Sequence, residues 1–489
     1  MIRRTPTKHK GLHGALEVLY WYVPAMQQYD VNKKKRKLTL LFSYISMTIA
    51  VVIISTVCIL LALGYRFDFT SRSVEQGALL QMDSFPGGAQ ITLDGTVLSF
   101  KTAGKTEVET GAHDVVYSRD GYRNWTKPFA LKAGEVRWLT YARLVPTTVR
   151  TSTVKEFDGL TGALPSPDRK MIAVITKSET PVITMVDVSD SKKIVATTIT
   201  LPAEVLSAPA GAVHSYHLVE WNLGSKYFLV RHDAGSTHEY IRVNIKDTKD
   251  VVNLSTKFGV AFSDIHFSTE TVFYGVENGN LRKFDLGSSS LSEPLAKDVV
   301  QMKLYGSNDL AYVRHTGAQY VVGVIVGGTA YKVSSYDDTT PLLVDITSYF
   351  NERYVAITRG GSFELIKNPE KTAANGMAKV VTLAYPSELK WLDISTNGRF
   401  VIAGNSAQFM TYDIELAQRT DSNFPSFMSD ASIPPQWLDS YMLVSTGDNK
   451  LRISDFDGDN QQIITDALPA FPVMLSGDGT LLYNFTKTQ

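Results

Sequence analysis

Ile394-Ser395-Thr396-Asn397-Gly398-Arg399-Phe400-Val401-Ile402-Ala403 combines an apolar residue, a Ser-x-Asn-Gly turn and a run of residues suited to a buried strand. The same pattern recurs. Clear copies turn at Ser166-Pro167-Asp168-Arg169, Asn222-Leu223-Gly224-Ser225 and Ser476-Gly477-Asp478-Gly479. Weaker copies begin near Phe267-Ser268, Tyr305-Gly306, Tyr349-Phe350 and Trp437-Leu438. From Ser166 to Ser476 is 310 residues over seven intervals, a mean near 44. A period of about 40–50 with several short strands per unit is the signature of a β-propeller. One four-stranded blade cannot cover both of its faces, so neighbouring blades must do so and the ring must close. The eight hairpins predict eight blades, with seven as the alternative. Too little chain follows Pro472 for a full blade, so strands around Thr148 to Phe157 are expected to complete the ring.

The second half of one unit, Leu451-Arg452-Ile453-Ser454-Asp455-Phe456-Asp457-Gly458-Asp459-Asn460-Gln461-Gln462-Ile463-Ile464-Thr465, is a strand, an acidic-Gly turn and a strand. In this it resembles the TolB-like, WD-type propeller family. The resemblance spreads over most of 160–487 and implies a fold more than an activity.

N-terminal to the repeats, Leu38 to Tyr65 holds no Asp, Glu, Lys, Arg or His. As a helix those residues would be about 42 Å long, against a hydrocarbon core of about 30 Å. No polar face interrupts them, so a membrane span is expected rather than a buried helix. Before Leu38 stand nine Lys/Arg and two acids, including Lys33-Lys34-Lys35-Arg36-Lys37 at the border. Because the whole chain has 49 basic and 49 acidic residues, the rest is net acidic. Basic residues beside a span stay cytoplasmic, so the N-terminus is expected inside and the bulk of the chain outside. The apolar core is about twice that of a signal peptide, which predicts an uncleaved anchor. The basic run borders the span, and no nucleic-acid role is expected. The single Cys58 lies in the span, so the remainder has no disulfide.

These features divide the chain into a cytoplasmic basic tail (1–37), a transmembrane helix (38–65), a linker (66–77), a small β-sandwich (78–146) and the propeller (147–489). Within the tail, Leu12, Leu16, Leu19 and Val23 recur at helical spacing beside Tyr20, Trp21 and Tyr22. Residues 11–31 are therefore expected to form an interfacial helix, or to dock a cytoplasmic partner.

Residues 78–146 alternate apolar and polar positions in short runs, with Asp94-Gly95 as a hairpin signal. Ser84-Phe85-Pro86-Gly87-Gly88-Ala89, Ile91-Thr92-Leu93-Asp94-Gly95, Gly111-Ala112-His113-Asp114-Val115, Asp120-Gly121-Tyr122 and Gly134-Glu135 follow in order. This stretch resembles the PEGA domain, a small β-sandwich of surface-exposed bacterial proteins. Gly87 replaces the acidic residue of the name motif, and the turn around Thr102-Ala103-Gly104-Lys105-Thr106 departs from the usual Gly-Thr-Pro. The resemblance implies a spacer or adhesion module without catalytic residues.

Several residues invite a site and are better read as structure. Asp455, Asp457 and Asp459 alternate as at the start of a calcium loop, but the Gly comes one place early and no Glu follows. A hairpin turn capped by Asp side chains is expected. His214 and His217 lack an accompanying metal motif and are read as solvated loop residues. His113 is read as a hydrogen-bonded strand residue, and Trp221, Trp391 and Trp437 as blade packing rather than a sugar platform. No Gly-x-Ser-x-Gly, His-Glu-x-x-His or Gly-x-x-x-x-Gly-Lys occurs. No catalytic residue, metal ligand or cofactor is nominated. The sequence reading is a mainly β, single-pass bacterial membrane protein that presents the propeller outside the cell membrane as a binding or scaffold surface for an envelope protein or glycan. The alternatives are a propeller hydrolase or lyase acting on envelope polymers, and a sensor relaying through a cytoplasmic partner.

Overall fold

The computed structural model describes residues 30–62, 65–68, 73–207, 211–336, 340–424 and 433–487. The helix expected within 11–31 lies almost wholly outside them. The chain divides into two compact units, one holding residues up to 82 with 103–113 and 129–140, the other 83–102, 114–128 and 141–489.

The first unit begins with the helix Asp30–Ala62. It starts eight residues before the apolar run because Lys and Arg are good helix formers and neither Gly nor Pro intervenes. It runs to Ala62, and the expected last residue Tyr65 opens the strand that follows. Its stretch Lys35–Leu60 has a mean hydropathy of 2.2 and none of it is buried, so it is long and apolar enough to cross a membrane. Thr48 and Thr56 donate their hydroxyls to the carbonyls of Tyr44 and Val52, one turn back along the helix. Within the expected linker 66–77 two short strands pair instead, Tyr65–Asp68 antiparallel to Ser73–Gln76. These strands are only four residues long, too short for alternation to stand out in sequence. A three-stranded sheet follows in the order Gly104–Val108, Ala78–Phe85, Val136–Arg143. Ala78, Leu80 and Met82 alternate into its buried side.

The remaining strands of the 78–146 segment form a four-stranded sheet in the order Thr96–Lys101, Gln90–Leu93, Gly111–Ser118, Trp125–Leu131. Asp94 and Gly95 turn the first hairpin with φ of 49° and 77°, as the Asp-Gly pair predicts.

The rest of the second unit is the propeller. Seven four-stranded antiparallel sheets occupy 162–200, 214–253, 262–291, 299–336, 342–384, 391–423 and 436–466, and a two-stranded sheet occupies 474–483. Each of the eight repeats marks the turn between the first two strands of its sheet. The turn has a common build. Ser166, Ser395 and Ser476 each bond the carboxylate or amide oxygen two residues on, at 2.6, 2.7 and 2.6 Å. Each also accepts the backbone N–H five residues on, at 2.9 Å. Arg169, Gly398 and Gly479 take the left-handed conformation that closes it, with φ of 60°, 75° and 72°.

The second strand of a blade has two sides, and each is buried against a different neighbour. Ala173 and Ile175 pack on Phe228 and Val230 of blade 2, whereas Ile172 and Val174 pack on Met474 of the short eighth sheet. The same pairing runs round the ring. Blade 2 meets blade 3 through Tyr240 and Phe262, 3 meets 4 through Tyr274 and Met302, 4 meets 5 through Val324 and Val344, and 5 meets 6 through Leu365 and Val401. Blade 6 meets 7 through Phe409 and Leu443, and 7 meets the eighth sheet through Val444 and Leu475. All eight junctions are apolar, so the ring is closed and eight-bladed, with the last blade abbreviated. The expected completion of that blade is corrected in one respect. Residues 148–157 form no strand; Val149, Phe157 and Leu160 pack as irregular chain against the junctions on either side of the eighth sheet.

Candidate functional site

The first strands of blades 1 and 2 lie next to one another, as do those of blades 4, 5 and 6, and in a propeller these innermost strands surround the axis. In these strands one face is apolar and packs on the preceding blade: Ile265, Met302, Val344 and Ile394. The alternate positions carry charge. Glu220, His266, Lys303, Asp345 and Asp393 come one from each of blades 2 to 6. Blades 1, 7 and 8 offer Leu164, Gln436 and Met474 from their first strands. Charge is therefore confined to one side of the ring.

Two of the five residues satisfy each other. His266 Nδ1 lies 2.8 Å from Glu220 Oε2, and its Nε2 lies 3.5 Å from Asp264 Oδ1. Burial opposes protonation of this imidazole, but the two carboxylates that bond it outweigh burial and push it up to about 10, so it is an imidazolium at neutral pH. The other three have no ion partner within 4 Å among the described residues. Asp345 and Asp393 each accept only the next backbone N–H, at 2.8 and 2.9 Å. Burial, reinforced by the neighbouring Asp393, pushes Asp345 up to about 7, with Lys303 acting the other way. Burial pushes Asp393 up to about 6 against the backbone bond and Lys303. The pair is thus poised to hold one proton near neutrality.

The acidic turn is where the structure adds most to the sequence reading. Asp455, Asp457 and Asp459 do cap their hairpin, and Asp457 Oδ1 accepts the Asp459 N–H at 3.3 Å. They also surround a cation that belongs to the chain. Lys127 Nζ bonds Asp457, lies 2.9 Å from Asp459 Oδ2 and 3.8 Å from Asp455 Oδ2, with 7% of its side chain exposed. Burial opposes the ammonium charge, but the carboxylates raise its pKa overall. Trp125 Nε1 and Asn460 Nδ2 donate to Asp455 Oδ2 at 3.0 and 2.8 Å, and Tyr141 stacks on Tyr441 at 5.0 Å. Burial still pushes Asp455 up to about 7, Asp457 adding to the rise and Lys127 opposing it.

The histidines of blade 2 are brought into two clusters. His214 Nδ1 shares a hydrogen with the buried His232 Nε2 at 2.8 Å, and His232 Nδ1 donates to Glu239 Oε1 at 2.8 Å. Glu239 also accepts from Ser207 N and Asn253 Nδ2, which ties down the N-terminus of a short helix capped by Asn253. His217 Nε2 faces both Ser215 Oγ, at 3.1 Å, and Asp233 Oδ2, at 3.3 Å. A nucleophilic triad needs the hydroxyl and the carboxylate on opposite ring nitrogens, so this one is not built for it. His113 bonds the Glu109 carbonyl at 2.9 Å and lies against Phe129. Trp221 and Trp391 are buried and bond the carbonyls of Leu164 and Asn405 at 3.1 and 3.3 Å. Trp437 stacks on Phe400. All three tryptophans serve blade packing.

The sequence reading missed the axial charges and Lys127. A signal for the former exists: Glu220, His266, Lys303 and Asp393 each stand one or two residues before the turn or start of a repeat, in the first strand of a blade. Nothing in the sequence pairs Lys127 with residues some 330 positions away.

Residues 78–147 match the PEGA domain model. No curated protein is detectably similar in sequence. Among solved structures, the chain is similar to the dihydro-heme d1 dehydrogenase NirN in complex with DHE, with 10% identity, 66% of this chain and 69% of that one covered, and a TM-score of 0.44. It is similar also to apo AztD from Citrobacter koseri (11% identity, 75% and 94% covered, TM-score 0.42). A third is Hsv2 from Kluyvelomyces marxianus, with 9% identity, 63% and 99% covered and a TM-score of 0.40.

Proposed function

We propose that this protein is a single-pass membrane protein of the bacterial envelope whose propeller binds an envelope protein or glycan at its axial face. The observation that carries the binding reading is the trio Lys303, Asp345 and Asp393. Three successive blades put charge at the axis with no ion partner among the described residues, Lys303 exposed and Asp345 and Asp393 half-buried. A PEGA domain and a closed ring without a catalytic motif suit a scaffold, and the diverged TolB-like character of the repeats fits that role. The helix Asp30–Ala62 serves as an uncleaved anchor, its basic flank cytoplasmic and the later domains outside.

Two measurements test this. The intact mass of the protein purified from membranes is expected to include residues 1–37; a mass lacking them and the helix would make the helix a signal sequence. The triple variant Lys303→Ala/Asp345→Asn/Asp393→Asn is expected to fold as the wild type by circular dichroism. It should retain envelope components at least about tenfold less well, the equivalent of 1.4 kcal/mol. Equal retention would contradict the axial site.

One observation favours a second reading, a hydrolase or lyase acting on envelope polymers. Two neighbouring carboxyl groups with raised pKa values are what acid–base cleavage of a glycosidic bond uses. In that reading Asp345 is the acid and Asp393 the base. Release of new reducing ends from envelope polysaccharide, lost in both Asp345→Asn and Asp393→Asn, would establish it.

A further inference from the structure

The two glycine turns of the PEGA domain, Pro86-Gly87-Gly88 and Asp120-Gly121-Tyr122, face each other across a cavity of about 870 Å³. We propose that this cavity is an oligosaccharide-binding site. Its walls are held firmly. Ser84 Oγ bonds the Pro86 carbonyl at 2.9 Å and Thr102 Oγ1 at 2.7 Å, and Thr102 Oγ1 accepts the Ala89 N–H at 2.8 Å. Thr102, the first residue of the segment that departs from the family turn, is therefore the clamp that sets the glycine turn. Opposite, the Tyr122 N–H closes its turn on Arg119 O at 3.0 Å, and Thr147 donates its N–H to Gly121 O at 2.9 Å. Arg119 links the two walls: its guanidinium donates to Gly87 O and lies over the Tyr122 ring at 5.3 Å.

The lining dictates the class of ligand. No aliphatic side chain is in it, so it has no pocket for the apolar anchors by which peptides are held. What it offers are hydrogen-bonding groups. The side chains of Lys101, Ser118, Asp120 and Asn124 make no hydrogen bond or ion pair with other described residues, and Tyr122 supplies the single aromatic ring. Gly88 and Gly121 have φ of 79° and 80°, with nothing within 4 Å of a built Cβ, so bare backbone borders open space. A carboxylate, an amide and an ammonium around an aromatic ring, in a prearranged polar groove, match a molecule dense in hydroxyls and poor in apolar bulk. Lys101 and Arg119 against Asp120 leave one positive charge, which also accommodates a sugar carboxylate.

The site is built from residues other than the axial ones, and its test depends neither on the ring's ligand nor on membrane orientation. The detergent-solubilised full chain is titrated by calorimetry with cello-oligosaccharide, chito-oligosaccharide and oligogalacturonate, and with a mixed decapeptide library. At least one sugar is expected to bind with Kd below about 10 mM. Asp120→Ala and Asn124→Ala should weaken that binding at least about fivefold each, since each leaves sugar hydroxyls unpaired. Gly87→Leu should abolish it. Gly87 lies outside the left-handed region and its built Cβ meets only Ser84 O at 3.7 Å, so the variant fills the groove without straining the turn. Unchanged melting of the variant confirms that it folds. No binding of any of the three sugars, binding unaffected by Gly87→Leu, or binding of peptide alone would overturn the proposal.

Discussion

Replacing Lys127 with methionine leaves Asp455, Asp457 and Asp459 gathered round an apolar side chain. Losing one partner of a buried ion pair costs about 3–5 kcal/mol, so Lys127→Met is expected to lower the stability of the propeller by that order in urea unfolding. A loss under 1 kcal/mol would mean that the carboxylates simply protonate or hydrate. The axial carboxyls obey the opposite sign. Asp345 is held at about 7 when folded, above the ordinary carboxylate range, so the folded state binds its proton more tightly. Its ionisation therefore destabilises the fold as pH rises from about 4 through 7. Asp345→Asn should melt higher than wild type at pH 8, by on the order of 1–4 kcal/mol, and the gap should vanish below pH 4. His266 behaves as a base raised to about 10: its contribution is full below about 6.5 and lost as pH climbs through 10. His266→Gln should thus be most damaging below pH 6.5, as read by melting temperature across pH. None of these partnerships was legible in the sequence. Asp455, Asp457 and Asp459 draw notice by their spacing, but the ammonium that answers them comes from a strand in the other domain segment. Spacing along a chain carries no information about partners that only the fold brings together.

At the scale of the element, the hairpin turn is the unit that the sequence specifies best. Its serine, its Asp or Asn two residues on, and its left-handed residue are local, and all three recur where they bond. Gly398 shows how strictly. A Cβ there would lie 2.5 Å from Thr347 Oγ1 and 2.6 Å from Ser348 O, at a φ of 75°. Gly398→Ala is accordingly expected to destabilise by about 2–4 kcal/mol in urea unfolding, and a change below 0.5 kcal/mol would contradict that packing. Elements without such local chemistry were read less well. The strand pair Tyr65–Asp68/Ser73–Gln76 passed for a linker because four-residue strands carry too little pattern. The segment 148–157 has the composition of a strand, yet no free edge pairs with it, and Val149 and Phe157 are used for packing instead. The N-terminal helix extends beyond the apolar run for another reason: hydropathy marks where lipid-compatible sequence begins, whereas helicity runs on through Lys33–Lys37.

For the molecule as a whole, period and closure were legible and the ligand was not. A mean repeat near 44 residues fixes the number of junctions, and eight apolar junctions follow in the structure. Closure rests on the short eighth sheet, whose Met474 and Leu475 cover blades 1 and 7 on their open sides. In the proposed orientation the whole ring lies across the membrane from the basic tail. The chain has a single cysteine, Cys58, within the helix, so a Cys58→Ser background admits one reporter thiol. Lys192→Cys puts it on an exposed turn of blade 1. In intact spheroplasts a membrane-impermeant maleimide should label that thiol as fully as it does after lysis. Labelling only after lysis would put the propeller in the cytoplasm and contradict the proposed envelope role.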